Sequence, residues 1–181
     1  FGKLLGGSLF LYSAYVFANP QSAPKGVVPP QTEKDGAISG RFFRFSASNI
    51  PHPSKKHKGG EDAWLAQDNL LVVADGVGGW ANQGVDPGLF SKELVSHIKK
   101  LYDANNAQEL KAVLISAVEL TKNIGSSTCV MAKFDTSRPD YIKTTNLGDS
   151  GYMLFRPKAD GELETLFRSK EQQYRFNFPY Q

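Results

Sequence analysis

Cysteine is nearly missing from this chain. Cys129 is the only one among 181 residues, so no internal disulfide framework can staple the fold. Its place in the apolar run CVMA suits a small core residue. Histidine is sparse too, and His52, His57 and His97 lie scattered, without the close pairing of a zinc site. Neither sign of charge dominates: 21 Lys and Arg against 18 Asp and Glu leave a net +3, too mild to argue for a nucleic-acid partner. Long apolar runs are also lacking. Leu4 to Ala18, as a helix, would span roughly 22 Å, short of the ~30 Å hydrocarbon core. That run suits a short membrane anchor, a targeting remnant or a buried helix.

What is present is ordinary for a globular domain, with 40% hydrophobic and 22% charged residues. After the apolar segment 1–18, Asn19 to Ala37 carries Pro20, Pro24, Pro29 and Pro30 among polar residues, which reads as an extended linker. The folded domain is expected to begin near Ile38 and to occupy 38–181.

That domain turns on Leu70 to Trp80, LLVVADGVGGW. Six residues of apolar, β-branched-rich sequence predict a buried strand that ends at Asp75. Gly76, Gly78 and Gly79 then let the backbone turn sharply and approach a ligand closely. Upstream, Arg41 to Ala47 predicts an aromatic-rich strand, followed by a loop through SNIPHPSKKHKGG. Asp68-Asn69, between two apolar runs, is a hairpin signal that brings Glu61-Asp62 and Asp75 to one end of adjacent antiparallel strands. Downstream, Asp86-Pro87 caps a helix with Phe90, Leu94, Ile98 and Leu101 on one face, ending at Asn105-Asn106. Leu110, Val113, Leu114, Ala117 and Leu120 mark a second helix. His97 falls at the edge of the first helix's polar face. Four short strand-like runs follow, in SSTCVMAKF, YIKTTNL, GYMLFRP and ELETLFRS, and their short connections predict an antiparallel meander. The tight GDS turn puts Asp149 at a sheet end. Strands, then helices, then strands give an α+β layered architecture.

Glu61, Asp62, Asp75 and Asp149 thus form a set of strand-end carboxylates. Oxygen donors without His or Cys select Mg²⁺ or Mn²⁺ over zinc. Without a cation such carboxylates repel one another and some take up protons. GVGGWA (76–81) formally matches a dinucleotide fingerprint, but Asp75 would face the pyrophosphate and no βαβ unit follows. GDSG (148–151) has the look of a serine-peptidase motif but lacks a suitable histidine partner.

The pieces GGEDAW (59–64), VVADGVGGW (72–80), GSSTCV (125–130) and NLGDSGYMLFR (146–156) resemble, in order and spacing, the metal-dependent serine/threonine phosphatases of type 2C, the PPM family. The resemblance runs from about Arg41 to the end, and its details look most like the short mitochondrial branch. It implies a layered αββα sandwich of antiparallel sheets, of which this chain covers about the first half. It implies two Mg²⁺ or Mn²⁺ ions, with a third bound more weakly, and phosphoprotein substrates hydrolysed by an activated water. By position, Asp75 matches the aspartate bridging the metals, Gly76 the glycine whose carbonyl is a ligand, Glu61 the glutamate ligand and Asp62 the aspartate behind it. Asp149 matches the ligand of the third ion, and Thr128 lies in a core strand. Asp62 and Asp75 are therefore the expected catalytic pair, with Glu61, Asp75, Gly76 and Asp149 as metal residues. Where founding members place a phosphate-gripping arginine, this chain has His57, flanked by Lys56 and Lys58, which is either the phosphate-binding group or a solvated loop. Val77 stands where they carry a proton-donating histidine. The family's further aspartates, from Asp-Gly and Gly-Asp-Asn motifs, have no match before Gln181, so this polypeptide alone is expected to bind metal weakly and turn over little. A mitochondrial location, with a tether through 4–18, is the accompanying expectation. The rival is a catalytically silent phosphatase-like module that binds a phosphoprotein or tethers a partner at a membrane.

Overall fold

The computed structural model describes residues 13–15, 42–135, 137–138, 140–175 and 178–180. Its centre is a four-stranded antiparallel sheet in the order β3-β4-β5-β6. The strands are β3 (Asp62–Gln67), β4 (Leu70–Asp75), β5 (Cys129–Phe134) and β6 (Ile142–Leu147). The hairpin expected at Asp68-Asn69 joins β3 to β4, with Gln67 opposite Leu70 and Asp62 opposite Asp75. Side chains alternate across a strand. Leu70, Val72 and Ala74 of β4 and Cys129 and Met131 of β5 therefore point together towards the helices, all but closed to solvent. Asp62, Trp64, Val73 and Asp75 point the other way.

Helix α1 (Pro87–Ala104) starts as its sequence dictates: the Asp86 side chain accepts from Gly88 N at 3.1 Å, and Pro87 takes the first helical position. It ends at Asn105. Helix α2 (Leu110–Leu120) packs beside it. Leu94, Val95, Ile98 and Tyr102 of α1 and Leu110, Val113, Leu114 and Ala117 of α2 complete one core with the sheet. Burying such side chains contributes roughly 1.5–3 kcal/mol each. Leu120, expected in that stripe, is instead 44% exposed, because the helix ends there and its last residue projects past the sheet. Alternation along β5 also turns Lys133 inward. The residue is 2% exposed, and its ammonium donates to the carbonyls of Asn106 and Gln108, pinning the α1–α2 connection to the sheet. The Cys129 thiol is fully buried, and burial pushes its pKa up to about 12.

His97 pairs with Glu93 at 3.5 Å on α1. Glu93 also accepts from Asn123 N at 2.8 Å, Lys122 N at 3.1 Å and Asn123 Nδ2 at 2.7 Å, tying the exit of α2 to α1. The Asn123 N–H, with these other donors, holds its carboxyl down to about 2. Because the folded value lies below the ordinary 4.5, the stabilisation is complete above pH 4.5 and lost as pH falls towards 2. Urea unfolding of the wild type and Glu93→Gln should show a stability gap at pH 6 that closes by pH 2.

Beyond β6 the expected meander is interrupted. β7 (Met153–Pro157) and β8 (Leu163–Arg168) pair with each other as a separate hairpin, not with β6. The reason lies at Gly148. Its φ of +90° turns the chain, its carbonyl accepts Gln172 N at 2.8 Å, and Asn146 Nδ2 reaches Lys170 O at 3.3 Å. The returning segment after β8 thus lies beside Asn146 and Gly148, where a meander would have put β7. Two short pairs remain, β1 (Ser13–Tyr15) with β2 (Arg44–Ser46), and β9 (Gln173–Arg175) with β10 (Phe178–Pro179). Three residues of the apolar N-terminal run are therefore in a strand, while the rest of it, the linker and Arg41 lie outside the described residues. Among the described residues no helix is long and apolar enough to cross a membrane. Helices on one side of antiparallel sheets make the architecture α+β and layered, as expected.

Candidate metal centre

The site forms where β3 begins and β4 ends. Register places Asp62 and Asp75 directly opposite each other on the sheet face away from the helices. Asp62 is 4% exposed, and neither of its carboxylate oxygens has a hydrogen-bond partner among the described residues. Burial, then the facing Asp75 and neighbouring Glu61, push its pKa up to about 8. Burial raises Asp75 as well, with the facing Asp62 opposing it, Asp149 and Glu61 adding to it, and Lys55 opposing it. Asp75 thus feels each of the other three expected carboxylates.

The backbone around them is tightly held. Glu61 O accepts from Ser91 Oγ at 2.6 Å and from Gly76 N at 3.2 Å, so the N-terminal part of α1 and the end of β4 clamp the entry to β3. Gly88 lets α1 come this close, since a Cβ there would stand 2.9 Å from Gly60 O. On the other side Asp75 O accepts from Thr128 N at 2.9 Å and Ser127 Oγ at 2.9 Å, while Asp75 N donates to Thr128 Oγ1 at 3.2 Å. Thr128 Oγ1 meets Ser150 Oγ at 2.6 Å, linking the turn that carries Asp149 to the strand end that carries Asp75. Thr128 is 1% exposed, a supporting position as the sequence suggested. Replacing it with valine keeps the shape but leaves Asp75 N and Ser150 without that partner, and should cost about 1–2 kcal/mol in urea unfolding.

The basic turn lies in a 3₁₀ segment, Pro53–Lys58. Lys56 and His57 are exposed. Lys58 pairs with Asp86 at 3.3 Å. The cation in contact with the acidic group is Lys55, whose Nζ is bonded to Glu61 Oε2. Sequence reasoning missed Lys55 because it differs from the neighbouring lysines only in which way a short irregular turn points it. It missed Ser91 because a serine at the start of a helix reads as capping chemistry, not as a brace on another segment. Trp80 Nε1 donates to Ser126 Oγ at 2.8 Å, closing the glycine loop over β5.

As the side chains stand, no three His, Cys, Asp or Glu among the described residues are gathered closely enough to hold an ion. The donor set nevertheless fits one chemically. Asp62, buried with both oxygens unpartnered and facing a second carboxylate, takes up a proton where no cation neutralises it, and all-oxygen donors match a hard divalent cation. Glu61, Asp75, the Gly76 carbonyl and Asp149 are the groups that could hold it.

These features define a class: a layered α+β protein with an acidic, oxygen-donor site at one end of an antiparallel sheet. No family model matches the chain. Probable protein phosphatase 2C 55 of Arabidopsis thaliana is 43% identical over 137 residues, 73% of this chain and 27% of its own length. Protein phosphatase PTC7 homolog fig of Drosophila mojavensis is 33% identical over 186 residues, 95% of this chain and 55% of its own. The X-ray structure of the photosystem II phosphatase PBCP superposes with a TM-score of 0.63 at 32% identity, over 72% of this chain and 51% of that one. The chain belongs to the PPM, or type 2C, protein phosphatase family. It spans less than two thirds of the length of these relatives.

Proposed function

We propose that this chain carries part of the site of a metal-dependent phosphatase acting on phosphoserine and phosphothreonine in proteins. The observation that carries the reading is the Asp62–Asp75 pair, opposite each other in register with Asp62 buried and unpartnered. Two Mg²⁺ or Mn²⁺ ions, with a third more weakly held, would supply Lewis acidity and a water acidic enough to ionise near neutral pH. In this chain Glu61, Asp75 and the Gly76 carbonyl would hold them, Asp149 would serve the third, and Asp62 would keep negative charge behind Asp75. Lys56 and Lys58, flanking His57, would supply positive charge for an incoming phosphate, as separate point charges in place of a bidentate fork, with His57 as a further hydrogen-bonding group of that turn. Val77 offers no proton, so a leaving alkoxide would take one from water or another group. We further propose a mitochondrial setting, with any membrane tether in residues 4–18.

The test is release of inorganic phosphate from a phosphothreonine peptide by the purified chain, with Mn²⁺ or with chelator. Slow release that needs Mn²⁺ and falls at least ~100-fold in Asp75→Asn is expected. Release indifferent to chelation or to Asp75→Asn, or no Mn²⁺-dependent release at all, overturns the reading.

A further inference from the structure

Lys55 is the part of the site that the phosphatase reading leaves without a task. Its ammonium is bonded to Glu61 Oε2, with the two side chains 26% and 13% exposed. The turn beneath it is fixed: Lys55 N donates to His52 O at 2.8 Å, and Lys55 O accepts from Gly60 N at 3.3 Å. Gly78 lies directly over the pair, and a Cβ there would stand 3.1 Å from Glu61 Oε2 and 3.2 Å from Lys55 Nζ. The other cations of the turn are differently engaged, Lys58 with Asp86 and Lys56 and His57 facing solvent. One ammonium therefore satisfies the carboxylate that the site would use as a ligand. Meanwhile Asp62, a position away, has no partner among the described residues.

We propose that Lys55 is an internal counter-cation in exchange with the divalent ion: it holds Glu61 while the site is metal-free and gives the carboxylate up when metal enters. The inference rests on the site being a metal centre. Its physical basis is competition between two cations for one carboxylate. With its ammonium bonded to Glu61, Lys55 already supplies positive charge at the ligand and repels a divalent ion brought to the same group. A lysine suits exchange better than an arginine would, because a point charge on a flexible four-carbon stem withdraws to solvent more easily than a planar fork. With the turn backbone anchored, the exchange needs only side-chain rotation. Loaded with metal, the site therefore presents a free ammonium at its rim that the metal-free site does not.

Two measurements on the full chain test this. The first is Mn²⁺ binding by electron paramagnetic resonance in the wild type, Lys55→Met and Lys56→Met. Removing the competitor should tighten Mn²⁺ binding on the order of tenfold in Lys55→Met and leave Lys56→Met at the wild-type value. The second needs no variant: acetylation of the wild type read residue by residue by mass spectrometry. Lys55 should react slowly without metal and several-fold faster with Mn²⁺, while Lys56 stays constant. Equal or weaker Mn²⁺ binding in Lys55→Met, or a Lys55 acetylation rate that ignores Mn²⁺, overturns the exchange and leaves the metal site standing. Failure of every protein to take up Mn²⁺ overturns both.

Discussion

Replacing Gly76 with alanine should lower the unfolding free energy by about 3 kcal/mol or more, read as a shift in urea midpoint. The added Cβ would lie 2.3 Å from Glu61 O and 2.9 Å from Pro87 O, with Pro87 C at 3.2 Å. All three are backbone atoms, so no side chain can rotate away. The surrounding chain is held as well: Gly76 N donates to Glu61 O, Ser91 Oγ grips the same carbonyl, and Pro87 begins α1. Relief would require moving the start of α1 or the entry to β3, next to Asp62. Gly79→Ala is the matched control, because a Cβ there meets nothing within 4 Å. It should be close to neutral. Equal effects at the two positions would contradict the close approach of these three segments.

The second large effect has the opposite sign. Asp62→Asn should make the metal-free chain more stable at pH 9 by about 2 kcal/mol, since the amide removes a buried, unpartnered charge without changing shape. The wild type should then gain stability on adding Mn²⁺, through mass action on the folded state, while Asp62→Asn, with its ligands intact but less negative charge behind Asp75, should gain less. The two proteins would converge or cross in a thermal melt as Mn²⁺ is raised. If Asp62→Asn proves less stable than the wild type in chelator, then Asp62 has a partner that stabilises it and the electrostatic account of this strand end fails.

Much of this arrangement was legible because the decisive signals were local. The Asp68-Asn69 turn between apolar runs fixed the β3–β4 register, and the register alone set Asp62 against Asp75. Asp86-Pro87 marked the start of α1 to the residue. Periodicity found the buried stripes of both helices and missed at Leu120, where burial depends on what lies beyond a helix end. Tertiary facts were harder. Nothing in the strand composition of 142–168 told β7 to pair with β8 and not with β6, because that outcome is decided by the return of Gln172 to Gly148. The choice of Lys55 over Lys56, His57 or Lys58 was equally hidden, since an irregular turn has no period from which to read a direction.

The lone thiol offers a further use of the fold. Cys129 sits on β5, flanked by β4 and β6 and covered by both helices, at 0% exposure. A maleimide can reach it only when those layers part, so its labelling rate counts openings of the whole sheet. Fraying at the hairpin β7–β8 would leave the count unchanged, which makes one residue a clock for global opening, with no second cysteine among these 181 residues to confuse the reading.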